Sequence, residues 1–254
     1  MNTTRDASTD ELSRLARARI GRPLFCADWL DVFFLYYEVD PSALQPLVPF
    51  PLHLRDGAAY LSLVSFTLRR MRPPFTGPAA RIGEWLLRPV SNHRFLNART
   101  YVRAGGETGI YFLAEWLSTR FPVPLGRPLF GLPYHFAKFQ FHNDSPHLNA
   151  TISARRERLS FEARIDLNDP APCPAGSLDE FLLERYTAFT YWRGLRRLFR
   201  VWHPPWPASP VAIEVNDASL LRGTGDWFRH ATLIAAHHSP GVNGVMMGSP
   251  NFLN

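Results

Sequence analysis

The period of the apolar positions changes several times along the chain. Over residues 8–20, Leu12, Leu15, Ala16 and Ile20 recur at helical spacing and Thr9 is placed to cap, which predicts a short helix. Residues 29–39 (WLDVFFLYYEV) are aromatic and β-branched, the composition of a buried strand. Asp40-Pro41 then predicts a short helix through Leu44 and Leu47. An aspartate accepts from the first free N–H groups, proline fits the first turn, and Pro49 and Pro51 stop it. Residues 58–68 alternate as a strand does, and residues 71–92, punctuated by proline and glycine, read as a loop. Residues 95–103 and 109–116 read as two strands joined by a hairpin at Ala104-Gly105-Gly106-Glu107-Thr108. Residues 121–133 are rich in Pro and Gly, and 134–142 alternate as one strand. A second hairpin is expected from 149–156 and 159–166. Ser177-Leu178-Asp179-Glu180 is a capping box for a helix over about 177–185. Residues 187–192, 196–202 and 211–215 are strand-like.

Short strands with turn chemistry between them and few long helices predict an α+β fold dominated by an antiparallel sheet or barrel. The strand–helix alternation of a dinucleotide-binding fold is missing, and there is no internal repeat. At 254 residues the chain can bury a core without disulfide or metal staples. An N-terminal helical extension (1–23) followed by a single domain (24–254) is the expected organisation.

Charge adds one specific point. There are 28 basic and 22 acidic residues, net +6, but Lys138 is the only lysine, leaving 28 − 1 = 27 arginines. GC-rich codon use explains the imbalance, yet it leaves imine chemistry a single lysine besides the N-terminus. The arginines are spread along the chain and accompany no nucleic-acid-binding motif, so a nucleic-acid partner is not expected. Two cysteines, Cys26 and Cys173, make neither a disulfide framework nor a zinc cluster. No run approaches the roughly 18 apolar residues of a membrane span, and the first residues are polar, so no membrane association and a cytoplasmic location are expected.

Common catalytic signatures (GxGxxG, the P-loop, GxSxG, HExxH) are absent. His237 and His238 are neighbours, which in a strand face opposite ways. His142, Asp144 and His147 bracket a polar turn, which explains them without a metal. His203, in Trp202-His203-Pro204-Pro205-Trp206, reads as a core histidine with a satisfied hydrogen bond, and Met246-Met247 as core. Neither a metal nor a cofactor is expected.

The run from Val39 to Leu52 (VDPSALQPLVPFPL) resembles the "D-x-x-A-L-x-x-x-x-P-x-P-L" pattern of acetoacetate decarboxylase-like proteins. Asn97-Ala98-Arg99-Thr100-Tyr101-Val102, Leu132-Pro133-Tyr134-His135, Phe181-Leu182-Leu183-Glu184-Arg185-Tyr186 and Ser239-Pro240-Gly241-Val242 are similar, more specifically, to the YqjF-like family of that superfamily. The resemblance covers residues 24–245 and implies an acetoacetate decarboxylase-like β-barrel or sheet with a few short helices. It also implies lyase, aldol or dehydration chemistry on a small oxo acid or carbonyl compound. The decarboxylase motif G-R-E-x-x-x-[YF]-P-K-K falls without a gap on residues 126–135, putting Tyr134 and His135 where the resemblance implies the Schiff-base lysine and the lysine that lowers its pKa. The carboxylate of that active site falls on Phe95, and an arginine near the first strand falls near Leu30. The resemblance therefore extends to the fold and not to lysine-dependent decarboxylation.

The resemblance implies that the Schiff-base position, here Tyr134, points into the pocket, and alternation then sets which residues share that face. Tyr134, Phe136 and Lys138 share one face of their strand, with His135 on the other; Asn97, Arg99 and Tyr101 share a face of theirs. Tyr134 is the candidate general acid, Lys138 or His135 the proton carrier, and Arg99 the carboxylate clamp, with Glu115 as its expected ion-pair partner. Asn97, Tyr101, Glu115, Phe95 and Phe136 complete the candidate substrate-binding set. Lys138 as a surface charge, and Arg185 pairing with Glu184 or Asp179 while Tyr186 packs, are the ordinary structural explanations. A non-catalytic binding or assembly protein, with Phe95, Tyr134 and Phe136 around a ligand, is the alternative function. Exposed strand edges favour a homo-oligomer.

Overall fold

A computed structural model describes residues 9–144, 146–165 and 170–253. The order is α1 (Thr9–Arg19), β1 (Pro23–Val39), α2 (Pro41–Leu44), β2 (Ala59–Arg72), α3 (Pro78–Leu87), β3 (His93–Ala104), β4 (Glu107–Leu117), α4 (Val123–Phe130), β5 (Tyr134–Phe136), β6 (Lys138–Asp144), β7 (His147–Ala154), β8 (Glu157–Arg164), α5 (Leu178–Leu183), β9 (Thr187–Trp192), β10 (Leu195–Trp202), β11 (Ser209–Pro210), β12 (Ala212–Asp217), α6 (Ser219–Arg222), β13 (Thr232–Gly248) and β14 (Asn251–Phe252).

Local chemistry explains the ends of several elements. Asp40 accepts from the Ser42 N–H at 2.8 Å and starts α2. The β3–β4 hairpin turns on Gly105 and Gly106, both at positive φ. Ser177 caps α5 by accepting from the Glu180 N–H, but the Glu180 carboxylate reaches Gly176 and Thr9 rather than closing a reciprocal box. Thr9 does not cap α1: its buried hydroxyl donates to Glu180 and so ties the first helix to α5.

Several expectations are corrected. Proline and glycine did not prevent helices in 71–92 and 121–133, which hold α3 and α4. Proline sits in the first turn of each, where its missing N–H has no helical acceptor to lose, and α4 stops at left-handed Gly131. The strand expected over 134–142 breaks at buried Ala137 into β5 and β6, which join different sheets. The unanticipated β13 runs through Pro240, Gly241 and Gly244. Gly241 has φ 111°, and a Cβ there would lie 2.1 Å from the Trp29 carbonyl oxygen, so glycine permits the close strand approach. Residue 8 and Asp166, at the ends of an expected helix and strand, lie outside the described residues.

The larger sheet follows the order β11-β13-β1-β2-β3-β4-β9-β10-β14. Because β10 also pairs with β13, the path from β13 through β1, β2, β3, β4, β9 and β10 returns on itself. Most pairs are antiparallel; β4–β5 and β4–β9 are parallel. A four-stranded sheet, β12-β8-β7-β6, packs against the outside. Alternation then separates two cores. Phe33, Leu35, Leu61, Leu63, Leu96 and Ala98 face outward onto Leu148, Ile152 and Phe161 of the smaller sheet. Phe34, Tyr36, Val64, Phe66, Phe95 and Tyr101 face the interior of the ring. Helix α1 is fastened to the ring through Ser13 and Trp202, with the Arg17 guanidinium 4.5 Å above the Trp202 ring.

Candidate functional site

Strand register assembles the interior row by row. His237, Phe34, Val64, Asn97, Glu115 and Tyr134 are successive cross-strand partners from β13 to β5. The neighbouring row is Ala235, Tyr36, Ser62, Arg99 and Phe112. Residues far apart in sequence thus become lateral neighbours, because a side chain's face depends only on its parity and register.

Arg99 is 7% exposed and Glu115 4% exposed. The Arg99 Nε donates to Ser62 Oγ at 3.2 Å. The Tyr101 hydroxyl donates to the Leu182 carbonyl at 2.8 Å and lies 3.2 Å from the same Ser62 oxygen. Beyond these bonds the interior is under-satisfied: Arg99 Nη2, Asn97 Oδ1, Glu115 Oε2 and the Tyr36 hydroxyl are shielded from solvent and have no hydrogen-bond partner. A guanidinium carries five N–H donors, and leaving them unpaired in a low-dielectric interior is costly.

The expected Arg99–Glu115 ion pair does not form within 4.0 Å. Burial pushes the Glu115 carboxyl well above the usual carboxylate range, and the attraction of Arg99 only partly opposes it. Burial, reinforced by Glu115, likewise holds the Tyr134 phenol well above its ordinary value. Burial lowers Arg99, with Tyr101, Tyr36 and Glu115 acting the other way. The interior therefore pairs a cation with a carboxyl group that favours its neutral form.

Tyr134 closes the first row at its open edge. Its ring meets Phe95 edge-on at 6.2 Å, and Phe95 stacks on Phe66 at 5.0 Å. Gly126 of α4 makes room: a Cβ there would come within 2.4 Å of Tyr134 Cδ2.

Of the candidates from sequence, Asn97, Arg99, Tyr101, Glu115, Phe95 and Tyr134 come together. Lys138 does not: it is exposed on β6 of the smaller sheet, because the chain leaves the ring at Ala137 and the alternation counted from Tyr134 ends there. His135 is exposed on the opposite face, its ring 6.2 Å from that of Trp116. Phe136 lies two residues beyond Tyr134 in β5, with the Arg120 guanidinium 4.3 Å from its ring centroid.

Tyr36, Ser62, His237 and Arg185 belong to the interior and were not anticipated. The first three needed the register of strands distant in sequence. Arg185 follows α5 and does not pair with Glu184 or Asp179. Glu184 accepts from the Tyr186 hydroxyl and the Trp206 N–H, and Asp179 faces His237 Nε2 at 3.6 Å. The Arg185 guanidinium lies 4.2 Å from the Phe181 ring centroid and 5.1 Å from that of Tyr101, with Nε and Nη2 unpaired. Tyr186 packs on His203 at 4.6 Å, and His203 is buried with Nδ1 2.7 Å from the Pro204 carbonyl.

A cleft of about 340 Å³ runs between α1 (Leu12, Leu15, Ala16 and Arg19) and the segment holding Arg185 and Tyr186. Among the described residues, no group of three or more His, Cys, Asp or Glu could hold a metal ion, and no helix is long and apolar enough to cross a membrane.

Solved structures share this architecture. The enduracididine biosynthesis enzyme MppR, in a structure complexed with pyruvate, is 15% identical at a TM-score of 0.62, covering 93% of this chain and 92% of its own. Acetoacetate decarboxylase from Legionella pneumophila is 15% identical at a TM-score of 0.56, covering 92% of this chain and 88% of its own. At such identities the likeness establishes an acetoacetate decarboxylase-like fold. In sequence, the uncharacterized protein YqjF of Bacillus subtilis (strain 168) is 29% identical over 194 residues, 74% of this chain and 76% of that protein. Residues 26–243 match DUF2071, described as an uncharacterized conserved protein, so the chain belongs to the DUF2071, or YqjF-like, family.

Proposed function

We propose that the ring of strands is a barrel enclosing a small oxo acid or related carbonyl acid, on which the protein acts without forming an imine. One observation carries the reading: Arg99 is buried with no counter-ion, beside buried and unpaired polar atoms of Asn97, Glu115 and Tyr36. A carboxylate supplies the missing partner, since charge-assisted bonds to a guanidinium are strong and geometrically selective. Neutral Glu115 then donates a hydrogen bond to the substrate carbonyl oxygen, and Asn97, its cross-strand neighbour, orients the same group through its amide. Transfer of the Glu115 proton to that oxygen leaves a carboxylate that takes the proton from the adjacent C–H, which gives the enol shared by lyase, dehydratase and aldol-type reactions and returns Glu115 to its neutral form. Tyr134 is a proton donor at the edge of the row, while Phe95 and Tyr101 form walls. The pyruvate complex of MppR supports an oxo acid of this size.

Proton NMR of pyruvate and 2-oxobutanoate in D₂O with the protein tests the reading. Protein-dependent loss of the C3 proton signal, abolished in Glu115→Gln, is expected. A ligand that stabilises the protein but neither exchanges nor changes would favour a binding protein, a reading supported by the aromatic lining from Phe34, Phe66, Phe95 and Trp206.

A further inference from the structure

A second guanidinium stands unneutralised in the same interior. Arg185 Nε and Nη2 are shielded from solvent and unpaired, although two carboxylates lie close in sequence. Both are engaged elsewhere: Glu180 with Thr9 and the Gly176 N–H, Glu184 with Tyr186 and the Trp206 N–H. The rings of Phe181 and Tyr101 fix the position of the guanidinium without cancelling its charge. Tyr101 reaches Ser62, and Ser62 accepts from Arg99, so the two arginines flank one Tyr101–Ser62 unit. Burial holds Arg185 down to about 10, with Arg99 adding to that effect and Tyr101, Glu180 and Glu184 acting the other way. Arg185 also lines the cleft beside α1, where Arg19 adds positive charge and Arg200 is already neutralised by Glu107.

Two cations, Arg99 buried and Arg185 half-buried, each with shielded unpaired donors beside a shared pair of hydroxyls, call for two negative groups. We propose that Arg185 is a second anion subsite, and that the preferred ligand is an oxo acid bearing a second carboxylate, admitted through the cleft beside α1. The inference rests on the reading of Arg99 as the first carboxylate clamp. In it, Arg99 holds the carboxylate next to the reacting carbonyl and Arg185 holds the distal one. Arg185 thereby determines specificity without touching the reacting atoms.

The test is calorimetric titration with two matched pairs, oxaloacetate against 2-oxobutanoate and 2-oxoglutarate against 2-oxopentanoate. At least one diacid should bind the wild-type protein about tenfold or more tightly than its monoacid partner. Arg185→Gln should bring the two members of that pair to within about twofold of each other, and Arg185→Lys should retain part of the preference. Circular dichroism and a thermal scan establish that both variants are folded; were the glutamine variant unfolded, a diacid preference reduced in the lysine variant relative to wild type would serve in its place, and an undiminished one would overturn the second subsite. Equal affinities for both pairs in the wild type, or a diacid preference that survives Arg185→Gln, would overturn the second subsite and leave the Arg99 reading standing. Failure of the wild type to bind any of the four acids would overturn both.

Discussion

The two faces of β3 make opposite use of burial. On one, Leu96, Ala98 and Val102 pack outward against the smaller sheet, and their value is apolar area removed from water. On the other, Asn97, Arg99 and Tyr101 are buried just as deeply, and two of the three retain an unpaired polar atom. The same strand thus maximises packing on one side and withholds hydrogen-bond partners on the other. A second contrast isolates charge. The Asp28 side chain is 1% exposed, yet it receives the Gly244 N–H at 2.9 Å and pairs with Arg70 and Arg72. Burial pushes its carboxyl up, but these partners outweigh that effect and hold it below the usual range. Asp28 is a buried charge completed by the fold, whereas Arg99 is left for something else to complete.

This comparison orders the effects of substitution. Leu63→Ala, on the outer face, should cost about 2–5 kcal/mol of unfolding free energy through the cavity it leaves, measured by urea denaturation. Ligand affinity of the folded fraction should be unaltered, and a loss of affinity would mean that the two faces are coupled. Asp28→Asn should cost about 1–3 kcal/mol at neutral pH, moderated because Arg70 stays largely in water. Asp28 has a depressed folded pKa, so its contribution is present above the ordinary aspartate range and is lost as pH falls through the folded value. The deficit of the variant should accordingly shrink in acid.

Glu115→Gln should have the opposite sign. The unfolded carboxyl titrates near about 4.3, but the folded one holds its proton to higher pH. Wild-type stability therefore falls as pH rises above the unfolded value, until the folded group ionises. The variant keeps the neutral shape with no proton to lose, so its thermal midpoint should exceed the wild-type value at pH 8 and approach it near pH 4. A variant less stable at pH 8 would show that the carboxylate is ionised and paired. Lys138→Met should be the smallest change, within about 0.5 kcal/mol, with no effect on oxo-acid binding. A borohydride-trapped adduct at Lys138 would show that imine chemistry survives in this protein.

The sequence was most readable where local chemistry is self-contained. The Asp40 cap, the Gly105-Gly106 turn, the Ser177 cap and the alternation of 95–103 can each be read from a few neighbouring residues. That alternation also placed Asn97, Arg99 and Tyr101 on one face. Reading failed where a residue's meaning depends on distant partners. Gly241 and Pro240 look like the end of a strand until Trp29 is known to approach within a backbone's reach. Alternation puts Lys138 on a face with Tyr134, but at a single buried alanine the chain passes to another sheet. Arg185 reads as half of a surface ion pair, because nothing nearby in sequence reveals that Glu184 is committed to Tyr186 and Trp206 and that Asp179 faces His237.

Thermal unfolding of wild type and Arg99→Met with and without pyruvate distinguishes a buried charge awaiting a carboxylate from one that the fold has already completed. Without ligand, the methionine variant should unfold at the same or a higher temperature, because an unpaired buried cation has been replaced by an apolar chain of similar reach. With pyruvate, the wild type should be stabilised and the variant should not. A variant that is destabilised without ligand and still shifted by pyruvate as much as the wild type would mean that Arg99 is already paired in the fold and that pyruvate binds elsewhere.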